Sequence, residues 1–112
     1  MAIDRAAIER IDSTLLPQLD RHHLRLLSHC LDSFQSMAAP GSSGANPDEN
    51  HRRRWCQQQP VVADDQAFLD TLLLQLNAAA EQLNQLAREL GKPALALTLD
   101  DLISSAEARC LG

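Results

Sequence analysis

The chain has 112 residues and a formal charge of -5, with 45% apolar and 22% charged residues. That length is enough for one core and too short for two, so a single helical domain over residues 1–112 is expected. The acidic balance argues against a dedicated nucleic-acid protein, because binding a polyanion draws its affinity from phosphate neutralisation.

Aromatic residues make up only 3% and Tyr is absent, so the core must be aliphatic. Leu and Ala supply most of that mass and both favour helix, whereas the strand formers Val, Ile and Phe are sparse. The expected fold class is all-α: a small helical bundle of two long antiparallel helices with shorter N-terminal, middle and C-terminal helices.

The first helix is expected over residues 3–15, where Ile3, Ala7, Ile8, Ile11 and Leu15 recur at helical intervals. Pro17 disfavours helical geometry at Leu16, so a break falls there and Pro17 opens the next helix. That second helix, residues 17–38, carries Leu24, Leu27, Leu31, Phe34 and Ala38 in three- and four-residue steps. The steps make a bundle seam. Beside it lie His23, Cys30 and Met37, and beyond them Leu19 and Leu26, so the apolar surface is broad enough for more than one neighbour.

Residues 39–46 read APGSSGAN, a Gly-, Ser- and Pro-rich run without periodicity that predicts a flexible loop. Asn46 then offers a cap, Pro47 a first helical position and Glu49 the third residue of a capping box. A short helix to about Gln58 follows, with acids first and Arg52, Arg53 and Arg54 later, in the sense the helix dipole favours.

Asp64 is placed to cap the third long helix, which runs to Leu90. Its seam is Leu69, Leu72, Leu76, Ala79, Leu83, Leu86 and Leu90, flanked by Leu73, Ala80 and Ala87. Three apolar positions in seven suit a globular bundle. Gly91 can end the helix in a left-handed cap, with Pro93 soon after. Leu95, Leu97 and Leu99 alternate as a strand would, but no second strand is evident to pair with them. An extended connector tucking leucines against the bundle is expected instead. Thr98 with Asp101, or Asp100 itself, starts a final helix to about Arg109.

Cys30, Cys56 and Cys110 form an odd set without C-x-x-C spacing, which suits free thiols in a reducing compartment and a cytoplasmic protein. The N-terminal residues MAIDRAAIERID mix charge into their apolar positions, so no secretory signal is expected, and no run is long enough to span a bilayer.

Chemistry is harder to find. His22, His23 and His29 are weak metal or haem candidates. His22 to His29 and His23 to Cys30 are each two turns apart, about 10 Å, so neither pair holds one ion alone. Nothing local sets a histidine beside Cys30 as its base, and Cys30 reads as a small core residue. The pairs Asp64 with Asp65 and Asp100 with Asp101 fall where helices begin, and capping accounts for them. No catalytic residue, metal site or cofactor is assigned.

The run from His51 through Arg52, Arg53 and Arg54 to Trp55 is the most suggestive patch. It suits a protein interface, in which Trp and Arg are favoured, or stacking and phosphate contact with nucleic acid, or a solvated helix face with Trp55 covering the bundle. Leu74 lies opposite the third long helix's seam and hints at a second contact surface. The leading reading is a non-enzymatic protein-protein interaction or adaptor module that self-associates as a homodimer. Arg52, Arg53, Arg54, Trp55 and Leu74 are its candidate partner-binding residues. A nucleic-acid-binding regulator and a His-based metal or haem binder are the alternatives.

Overall fold

A computed structural model describes residues 4–38, 44–59 and 65–111, without the side chain of residue 111. Five α-helices follow in order: α1 Arg5–Asp12, α2 Gln18–Met37, α3 Glu49–Gln57, α4 Gln66–Leu90 and α5 Leu99–Leu111, with a 3-10 turn Ala94–Ala96 before the last. Among the described residues there is no strand, so the fold is all-α.

α1 is shorter than its apolar stripe suggests. Asp4 caps its start by accepting from Ala7 N at 2.9 Å. Its end comes where Ser13 Oγ donates to Glu9 O and Thr14 Oγ1 to Ile11 O, both at 2.7 Å, hydroxyls that compete for helix carbonyls. Leu15 consequently lies outside the helix and 85% exposed, while Ala7, Ile11 and the following Leu16 enter the core. Ile3 lies outside the described residues. Pro17 precedes α2 in extended conformation, and its carbonyl accepts from Arg21 N at 3.0 Å.

α2 buries Leu24, Leu27, Leu31 and Phe34 as the seam requires, and Met37 beside them. Each such side chain contributes about 1.5–3 kcal/mol on leaving water. Ala38 is the C-cap and only half-buried. Ser28 is fully buried, because its hydroxyl donates to Leu24 O at 2.8 Å and so carries no unpaired group into the core.

The last residues of the Gly-rich run are bonded to the rest of the fold. Residues 39–43 lie outside the described residues, but Gly44 O accepts from Leu95 N at 2.8 Å and Asn46 Nδ2 donates to Asn84 Oδ1 at 3.0 Å. Asn46 is therefore not the cap of α3. Asp48 is, accepting from His51 N at 2.8 Å, a place where a carboxylate also meets the positive end of the dipole. The cap of α4 likewise shifts by one residue: Asp65 accepts from Phe68 N at 2.9 Å, and Asp64 falls outside the described residues.

α4 supplies Leu69, Leu73, Leu76, Ala79, Ala80, Leu83, Leu86 and Ala87 to the core, while Leu72 is half-buried and Leu90 exposed. Gly91 ends it at φ 67°, with Lys92 N bonded to Ala87 O at 3.1 Å. Leu97 and Leu99 are buried and Leu95 half-buried around the 3-10 turn, as expected of a connector. Thr98 and Asp101 then form a reciprocal capping box at 2.9 and 3.2 Å.

Two cross-links set the direction of the long pair. His23, early in α2, is 2.8 Å from Gln82 Oε1, late in α4. Phe34, late in α2, lies under the guanidinium of Arg52, which bonds Asn77 in mid-α4. α2 and α4 are therefore antiparallel around one apolar cluster.

Candidate protein-binding surface

α3 positions the arginine run, and its packing splits the run. Arg52 Nε and Nη2 donate to Asn77 Oδ1 at 3.1 and 2.9 Å, Nη1 donates to Pro47 O at 2.6 Å, and the guanidinium sits 6.0 Å from the Phe34 ring centre. Arg52 thus joins α2, α3 and α4 and is no longer a free cation for a partner. Arg53 and Arg54 remain exposed, and Trp55 is half-buried against the core. The basic patch contracts from three guanidiniums to two, with the aromatic ring turned inward. That weakens it as a stacking platform.

The histidines do not converge. His22 and His29 are exposed, and His23 is engaged with Gln82. Among the described residues no three His, Cys, Asp or Glu side chains cluster as metal ligands do. Burial pushes the thiols of Cys30 and Cys56 above their ordinary pKa, away from the thiolate a nucleophile needs. Asp65 and Asp101 are caps, and Asp100 pairs with Arg10 across α1 and α5.

Leu74 is where its register put it, 71% exposed on α4. It has company. Leu19 and Leu26 on α2 are 83% and 45% exposed, and Phe68 also faces solvent near the start of α4. Between α2 and α4 lies a shallow slot of about 180 Å³ lined by His23, Leu26, Leu27 and Cys30 from one helix and Gln75, Ala78, Ala79 and Gln82 from the other. The lining has no carboxylate, lysine or arginine.

Each of those foursomes has the spacing i, i+3, i+4, i+7, which outlines the diamond-shaped hole that receives a side chain in helix packing. On α4 the two middle positions are alanines, whose short side chains leave that wall of the slot low. The sequence carried this signal in Gln75, Ala78, Ala79 and Gln82, but reading alanines as seam or as solvent face depends on knowing which neighbours are present. What the arrangement can do is accept an apolar side chain from another helix. No helix of the described residues is long and apolar enough to cross a membrane.

A protein-family model described as NDH complex assembly factor CRR9 matches residues 3–110. No curated protein and no solved structure matches the chain. Since the match spans nearly the whole sequence, α1 through most of α5, the chain belongs to the CRR9 family of NDH complex assembly factors.

Proposed function

We propose that the chain is a non-enzymatic assembly factor for the NDH complex, acting by binding protein and doing no chemistry of its own. The uncharged slot between α2 and α4, bordered by exposed Leu19 and Leu26 with Leu74 one turn from Ala78, is the contact face. The observation that carries this reading is that slot in a chain whose family is described by assembly. The raised thiols and the separated histidines support the absence of catalysis. The homodimer expected to pack through the second and third long helices, here α2 and α4, would use the same face. Three unpaired cysteines support a reducing, cytoplasmic setting.

The test is retention of NDH complex proteins by the tagged chain from cells that contain the complex, with Leu26→Glu as the comparison. Retention by the native chain and its loss in the folded variant are expected. If the native chain retains no protein of the complex, the reading fails; equal retention by both chains moves the contact off this face. Arg53→Ala with Arg54→Ala should leave retention intact, and its loss there would give the contact to α3.

A further inference from the structure

The slot between α2 and α4 is the size of one side chain. Its volume of about 180 Å³ falls below the roughly 300 Å³ at which small-molecule sites begin, and is near the ~150 Å³ apolar cavity that holds a single benzene. What fills it is a knob on a helix. The chain carries such knobs on the neighbouring helix, where Leu19 and Leu26 stand one heptad apart and exposed.

Their level along the bundle is fixed by the pair already described. His23 meets Gln82, and Cys30 shares the slot with Gln75, so Leu26, midway between His23 and Cys30, is level with Ala78 and Ala79. A two-fold axis running along the helices lays α2 of one copy over α4 of the other without changing that level. Leu26 then arrives over the alanines.

We propose that the α2–α4 face is closed by a second copy of the chain, with Leu26 of each copy seated among Gln75, Ala78, Ala79 and Gln82 of the other. The proposal rests on the reading of this face as the contact surface and names its occupant in the free protein. Because the slot is lined by no charged group, the two copies bring no like charges together there. Two helices about 10 Å apart and about 30 Å long offer roughly 600 Å² per copy, somewhat under the ~800 Å² of a standard interface. The dimer is therefore one that exchanges, which leaves the face open to a client protein.

Sedimentation equilibrium of the full chain tests this. The expected result is a concentration-dependent approach to twice the 12.3 kDa monomer. Leu26→Glu and Ala78→Lys, both at exposed positions, should each weaken association by more than about tenfold while the helical circular dichroism is unchanged. Mixing the two variants should restore a heterodimer, since one interface then pairs Glu with Lys and the other keeps Leu on Ala. A contact made only within one chain gives no such rescue. A monomer mass at every concentration, or no heterodimer on mixing, overturns the proposal and leaves the hole to a helix of another protein. If the native chain is monomeric and Leu26→Glu still loses NDH complex proteins, the contact face stands without the second copy. A dimer that retains no such protein has the reverse meaning.

Discussion

Arg52 grips Asn77 with two nitrogens, Nε at 3.1 Å and Nη2 at 2.9 Å, and so joins α3 to the middle of α4. Its third nitrogen closes on Pro47 O, the residue that leads into α3. A guanidinium so occupied supports the fold. Arg52→Ala leaves Asn77 and Pro47 without their donors and should cost about 1.5–3 kcal/mol in urea unfolding. Arg53→Ala and Arg54→Ala, at exposed positions, should stay within about 0.5 kcal/mol of the native chain. Equal losses for all three would show that the exposed pair also carries structure.

Asp101 gives the acid limb of stability a specific origin. Its carboxylate bonds Lys92 Nζ at 2.7 Å and accepts from Thr98 N at 2.9 Å. The Lys92 hydrogen bond first, and the Thr98 backbone bond second, hold its pKa below the ordinary 3.8. A carboxyl depressed in the folded state adds stability that is fully present above the unfolded value and is lost as pH falls through the folded one. Asp101→Asn should therefore lower stability at neutral pH and flatten its decline below about pH 4. Unfolding midpoints across that range check it; an unchanged slope would put the acid sensitivity elsewhere.

Gly44 and Gly91 both have positive φ, at 85° and 67°, but only one has room for a side chain. A Cβ on Gly91 meets nothing within 4 Å, so Gly91→Ala should cost only the conformational penalty, about 1–2 kcal/mol. A Cβ on Gly44 would lie 2.8 Å from Pro93 Cβ, and Gly44→Ala should cost more, by displacing the chain that bonds Leu95. Thermal unfolding orders the two, and a milder effect at Gly44 would mean that this crossing gives way easily.

The thiols should separate by rate. Cys110 is exposed, Cys30 half-buried in the α2–α4 slot and Cys56 fully buried. With iodoacetamide and peptide mass mapping, Cys110 should label first, Cys30 slowly and Cys56 only on unfolding. Dimerisation predicts in addition that Cys30 labels more slowly as protein concentration rises. Rapid labelling of Cys56 would contradict the packing of α3.

The sequence was most legible where periodicity is long. The α4 seam, the Gly91 cap and the capping box of Thr98 and Asp101 follow from spacing and side-chain chemistry within one segment. Where the outcome turns on neighbours, the sequence reads less clearly. Leu19 and Leu26 widen the apolar face of α2 in the sequence, yet among the described residues both stay exposed, whereas the polar Ser28 is buried because its own helix satisfies it. The cap of α3 moved because Asn46 is drawn to Asn84, a residue 38 positions away, leaving Asp48 to open the helix. The arginine run divides for a similar reason. Three identical side chains in succession point in three directions, and only the fold decides that Arg52 turns toward Asn77.

α1 is a helix of eight residues that buries Ala7 and Ile11 in the core and is otherwise fastened by the surface ion pairs of Arg10 with Asp100 and of Asp12 with Arg25 and by Arg21 Nη1 donating to Asp12 O at 3.1 Å. Exposed pairs of this kind hold little, so one isoleucine works as the nail of a hinged shutter. Amide protons of α1 should exchange with deuterium well before those of α2 and α4, and Ile11→Ala should hasten that exchange without hastening theirs. Swung aside, the shutter would bare the flank of α2 that it covers while the long pair stays closed.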